Sequence, residues 1–142
     1  MMRTRESGFT LVELMVVIAI IGLATALVVL AVPEPGGSVQ AEAERFAARV
    51  KAARDTAIVE ARPAALEVGA RGYDFARRSD GAWQAGEHFD WAERTEAEVA
   101  GAAARTRFDT TGLAEPLTVT LRRDDRSVAV EIRGDGTVHV RR

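Results

Sequence analysis

Leu14 to Val32 holds nineteen residues and no charge, and it follows directly on an acid, Glu13. As a helix rising about 1.5 Å per residue it is about 28 Å long, close to the roughly 30 Å hydrocarbon core of a bilayer. A small domain cannot bury such a run on every side, so the chain divides into an apolar anchor and a separate body. Arg3 and Arg5 precede the run. Basic residues stay cytoplasmic, which sends whatever follows Val32 outward. A secretory signal peptide has the same basic-then-apolar order. Its small-residue cleavage site belongs after the apolar run, where Leu30-Ala31-Val32 is a poor version of one, and the run is long for a signal. Neither a plain anchor nor a signal peptide explains Glu13. A carboxylate within a bilayer costs about 2.5–3.5 kcal/mol even on lenient insertion scales.

Residues 33–142 leave enough chain for one modest core. A formal net charge of −2 argues against a dedicated polyanion binder. The absence of cysteine excludes disulfides, thiol catalysis and zinc–thiolate sites.

The stretch GFTLVELMVVIAIIGL, from Gly8 to Leu23, closely resembles the processing signal of type IV pilins and type II secretion pseudopilins. The resemblance implies that a prepilin peptidase removes residues 1–8 by cutting after Gly8. The same enzyme then N-methylates Phe9, and residues 9–32 form the transmembrane and assembly helix. It also gives Glu13 a role in assembly. A buried carboxylate is tolerable where a cation meets it in the same low-dielectric setting. The amine of a neighbouring subunit's Phe9 is such a cation, and the pair favours one axial offset between subunits.

Val32 to Ser38 carries two prolines and a glycine pair, a break that predicts a hinge over residues 33–38 in place of one continuous helix. Ser38 suits the cap of the next helix. Phe46, Val50, Ala53, Ala57 and Ile58 then recur at helical spacing with charges opposite, and Pro63 ends the pattern. Beyond Ala64 the period becomes two. AALEV and GYDFAR read as a hairpin around Gly69 to Gly72, and Ser79-Asp80-Gly81 turns the chain into AWQ. Residues 85–104 look irregular, a long loop with at most a short helix. RTRFD and LTVTLRR flank a turn, and SVAVEIR and TVHVRR flank the tight turn Gly134-Asp135-Gly136. The expected class is α+β: a pilin-like chain whose N-terminal transmembrane helix precedes an amphipathic helix packed on antiparallel sheet, with a globular domain over residues 39–142.

Within the pilin class this body resembles the GspH-type minor pseudopilin. The passages that carry the likeness are AARDTAIVEARPAALEV, GYDF followed by a tryptophan, and RFDTTGLAEPLTVTL. No match to the calcium-loop region of the major pseudopilin is found. The resemblance implies a single-pass inner-membrane protein of a Gram-negative bacterium with its body in the periplasm. It would be a structural subunit near the tip of the secretion pseudopilus, helping to export folded proteins, and not an enzyme. The implied partners are the other minor pseudopilins, the major pseudopilin, the prepilin peptidase/methyltransferase and the inner-membrane secretion platform. The alternative is a type IV pilus minor pilin, FimT/FimU-like, a branch linked to DNA uptake.

Other constellations are weaker. Glu87, His88 and Asp90 lie together, but no second histidine is near; His139 falls in a distant strand. Neither metal binding nor acid–base catalysis is expected there, and no cofactor is expected. Ser38, Ser79 and Ser127 suit caps or turns. Gly134 and Gly136 form no phosphate loop, because no helix follows them. Trp83 and Trp91 read as core or interface anchors. Arg122, Arg123, Arg126, Arg141 and Arg142 suit solvated strand faces, so nucleic acid is not an expected partner. A DNA-binding role would need Arg122, Arg123, Arg141 and Arg142 on one face.

Overall fold

The computed structural model describes residues 11–31, 37–100 and 103–142, with the side chains of 26–31 excepted. The chain forms two units, one containing α1 (Leu11–Ala31) and the other everything from Gly37 onward. Residues 33–36 of the expected hinge lie outside the described residues. The helix that follows is a separate one.

That helix, α2 (Val39–Val59), starts where the sequence predicts. Ser38 adopts an extended conformation (φ −77°, ψ 160°) and its hydroxyl accepts from the Ala41 amide at 3.2 Å. This satisfies one of the donors that a helix leaves orphaned at its start. Gly37, just ahead, has φ +69°, a left-handed conformation that suits glycine and no helix interior. The inner face of α2 buries Val39, Ala43, Phe46, Ala47, Val50 and Ala57. Ile58 departs from the expected face: it is 39% exposed in the last turn of the helix. The helix stops at Val59, four residues before Pro63.

Eight strands follow: β1 (Ala64–Val68), β2 (Gly72–Ser79), β3 (Ala82–Asp90), β4 (Glu96–Ala100), β5 (Arg105–Phe108), β6 (Leu117–Arg123), β7 (Arg126–Ile132) and β8 (Val138–Arg141). They make two antiparallel four-stranded sheets, ordered β3-β2-β1-β5 and β4-β6-β7-β8. Phe46 and Val50 from α2 share one core with Leu66, Tyr73 and Phe108 of the first sheet and Val119, Leu121 and Val130 of the second. The expected hairpins β1–β2, β2–β3 and β7–β8 are all present. The β2–β3 turn uses two successive left-handed residues, Asp80 (φ 51°) and Gly81 (φ 83°), whose twist matches that of the flanking strands.

Residues 85–104 are not the long loop the sequence suggests. Most of them belong to β3 and β4. β3 is an edge strand, and its pairing shifts register between Asp74 and Ala76 of β2, with Gly86 and Glu87 opposing Phe75. Such a bulge breaks the alternation from which a strand is recognised. β4 reads EAEVA, a helix-forming composition overridden by pairing with β6. Ser127 lies inside β7, opposite Arg122, and not in a turn. The turn between β5 and β6 joins the two sheets, because β5 pairs with β1 and β6 with β4 and β7.

Candidate assembly site

Every large apolar side chain described in α1 is exposed, from 42% at Val17 to 75% at Leu11. A helix apolar on all sides needs cover from lipid or from other helices. Glu13 lies in the first turn of α1. Gly8 and Phe9 lie outside the described residues. Among the described residues no helix is long and apolar enough to cross a membrane.

In the second unit, two aspartates fold the RFDTTGLAEPLTVT segment against the last hairpin. Asp109 accepts from the amide and hydroxyl of Thr111, at 2.8 and 2.7 Å, and from the Leu113 amide at 3.0 Å. Asp135 makes the same pair of bonds to Thr137, at 2.9 and 2.6 Å. These bonds favour the ionised carboxylates and hold both below the usual aspartate range, with the threonine hydroxyl the leading cause in each case. Arg54 of α2 donates from Nε to the Gly112 carbonyl at 3.2 Å, and the Ala114 amide donates to the Gly134 carbonyl at 3.0 Å, tying the segment to the last hairpin. The RFDTTGLAEPLTVT segment is therefore a structural brace.

The Glu87, His88 and Asp90 group separates. His88 and Asp90 share the outer face of the first sheet with Asp74, while Glu87 sits at the bulge. His88 Nδ1 is 2.7 Å from Asp74 Oδ1, and Nε2 is 3.2 Å from Asp90 Oδ1. A carboxylate only accepts, so both contacts are hydrogen bonds only when both ring nitrogens carry protons. Asp74 first, then Asp90, raises the His88 pKa above its ordinary value. The ring is half exposed. His139 lies on β8 of the other sheet, opposite Glu131. Among the described residues no cluster of three or more His, Asp or Glu could hold a metal ion.

The tryptophans take different places. Trp91 is buried against Phe46 and Tyr73, and its indole donates to the Gly69 carbonyl at 3.0 Å. Trp83 is 41% exposed on the outer face of the first sheet, with the Arg107 guanidinium 5.8 Å from its ring. A cleft of about 170 Å³ opens between α2 and the β2–β3 hairpin, floored by Ala53, Phe75 and Phe89 and bordered by Arg49, Arg77 and Glu87. Tyr73, buried beside it, has its pKa raised by desolvation although its hydroxyl accepts from Arg49 at 2.7 Å.

The C-terminal arginines do not share a face. Arg122 and Arg123 are neighbours on β6 and point to opposite sides; Arg122 is exposed and Arg123 is buried. Arg141 pairs with Glu131 at 2.9 Å. Sequence alternation already put Arg123 on the side of Leu117, Val119 and Leu121, the one signal of its burial.

Comparison with known proteins places these features in one family. Residues 3–32 match the prokaryotic N-terminal methylation motif, and residues 42–136 match the family described as type II transport protein GspH. The type II secretion system protein H of Aeromonas hydrophila is 33% identical over 89 residues, 60% of this chain and 49% of that protein. The chain thus spans about half the length of the curated relative it matches. The type IV minor pilin FimU of Pseudomonas aeruginosa has a similar fold, with a TM-score of 0.62 at 16% identity, covering 73% of this chain and 88% of FimU. The minor pseudopilin EpsH of the Vibrio cholerae type 2 secretion system superposes with a TM-score of 0.59 at 17% identity, covering 69% of this chain and 91% of EpsH.

Proposed function

This chain belongs to the GspH family of pilin-like proteins, and from that premise we propose that it works as a minor pseudopilin in a type II secretion pseudopilus. The observation that carries the reading is the order of two matches in one chain, a methylation motif at 3–32 and a GspH body at 42–136. Residues 1–8 are a cytoplasmic leader removed after Gly8. Phe9 becomes the N-methylated first residue, and residues 9–32 anchor the subunit in the inner membrane. Residues 33–38 act as the hinge, and the body over residues 39–142 faces the periplasm. Glu13 sets the axial register by meeting the terminal amine of a neighbouring subunit. The subunit joins other minor pseudopilins and the major pseudopilin near the tip, on the inner-membrane secretion platform. Its work is assembly and not catalysis. That part of the reading follows from the family match, whose model describes a type II transport protein.

The fold likeness to FimU favours one second reading, a minor pilin of a type IV pilus. Fold alone does not separate the two systems; the curated relative favours secretion.

Processing supplies the test. Mass spectrometry of the membrane-extracted protein should find a methylated N-terminus at Phe9, and replacing Gly8 with a bulky residue should leave the full-length form. An N-terminus at Glu34 or beyond would mean ordinary signal-peptide cleavage and would end the pseudopilin reading.

A further inference from the structure

Arg123 is a charged side chain that neither the core nor the proposed processing accounts for. It ends β6, turns inward, and is only 7% exposed. Its guanidinium donates from Nε and Nη2 to Thr95 Oγ1, at 2.9 and 2.6 Å, and from Nη1 to the Gly37 carbonyl. All three bonds end on neutral oxygens. Burying a guanidinium is costly, and what a planar fork returns is fixed geometry among the groups it joins.

The groups joined here are far apart in sequence. Thr95, itself buried, lies in the connection that leaves β3 at the edge of one sheet and enters β4 at the edge of the other. Gly37 immediately precedes the Ser38 cap. Its carbonyl lies outside the α2 ladder, whose first backbone bond runs from the Glu42 amide to the Ser38 carbonyl at 3.0 Å. The positive φ of Gly37 turns the chain sharply at this point. Arg123 thus captures the last carbonyl before the helix and holds it against the crossover between sheets.

We infer that Arg123 is an entry latch: it fixes the chain at Gly37 to the second sheet, so that load arriving from the preceding residues passes into the sheet instead of unwinding α2 from its N-terminus. The load-bearing part rests on the filament-subunit reading above. The latch itself rests only on the geometry.

Backbone hydrogen exchange on the full-length protein in detergent micelles separates these parts. In Arg123→Met, which keeps an apolar stem and removes every donor, the amides of residues 41–46 should exchange about tenfold faster. Mid-strand amides such as Val119 and Val130 should stay within about twofold of wild type. Arg123→Lys should recover part of the protection, because an ammonium reaches one acceptor but cannot fork to both. Wild-type exchange at 41–46 in Arg123→Met overturns the latch; so does an equal acceleration throughout both sheets, which would mean general destabilisation only. In cells, Arg123→Met should cross-link into the pseudopilus like wild type while export falls severalfold. Normal export from a loosened entry would overturn the load-bearing role. Absence of the wild-type protein from the pseudopilus would overturn the filament reading and that role together, while the exchange result would still decide the latch.

Discussion

Gly136 and Gly81 offer a matched pair of substitutions that measures how closely the two aspartate-folded turns meet. Both glycines are left-handed, φ 76° and 83°, so an alanine at either position carries about 1–2 kcal/mol of backbone strain. A Cβ added at Gly81 meets nothing within 4 Å. One added at Gly136 would lie 2.0 Å from the Gly112 carbonyl oxygen and 2.7 Å from Arg54 Nε. The first neighbour is backbone, so the turn around Gly112 must move by about an ångström or more, and interiors packed this closely do not absorb that locally. The move also breaks the Arg54 bond to Gly112. A hydrogen bond from a charged donor contributes about 1.5–3 kcal/mol, so Gly136→Ala should cost about 3–5 kcal/mol in all. Gly112→Ala is the intermediate case, since its Cβ would meet the Ile58 Cδ1 tip at 2.7 Å and Arg54 Nε at 3.0 Å, both ends of side chains that can swing aside. Urea unfolding followed by tryptophan fluorescence suits the question, because both tryptophans of the chain lie in the second unit. With a slope of about 1–3 kcal/mol per molar urea, Gly136→Ala should lower the midpoint by about 2 M and Gly81→Ala by less than about 1 M. Equal shifts for the two variants would refute the close approach of the turns, and the brace with it.

Two further outcomes follow from the charged groups. The His88 imidazole should titrate by NMR above the usual histidine range and fall back toward it in Asp74→Asn. Because its folded pKa is raised, its stabilising contribution is complete below about pH 6.5 and is lost as pH rises through the folded value, whereas Asp109 and Asp135, whose pKa values are lowered, lose theirs only in acid below about pH 4. Glu13→Ala should insert and be cleaved normally but fail to cross-link with other pseudopilins, with Glu13→Asp rescuing only in part because its side chain is one methylene shorter; wild-type assembly by Glu13→Ala would remove Glu13 as the register element.

Much of this arrangement is legible in the sequence where local chemistry and tertiary context agree. Ser38 caps α2 because its side chain does so in any context, and Leu117, Val119 and Leu121 alternate because one face of β6 is buried. The β3–β4 region hides because its signals are tertiary. β3 is an exposed edge strand with a bulge, so neither face keeps a pattern, and β4 is a strand only because β6 pairs with it. The split of β5 and β6 between sheets is equally invisible, since a turn that joins sheets looks like one that closes a hairpin. Of the site, Glu13 stood out because a charge in an apolar run is conspicuous. Arg123 did not, because one arginine in an arginine-rich segment looks solvated until Thr95 and Gly37 are seen to meet it.

Deleting this gene and following two outputs in the same strain tests the central claim most directly. A pseudopilus subunit predicts that folded exoproteins accumulate in the periplasm while surface pili and their retraction persist, and that the full-length wild-type gene restores export. Loss of pili with export intact would contradict the secretion assignment and make the chain a minor pilin.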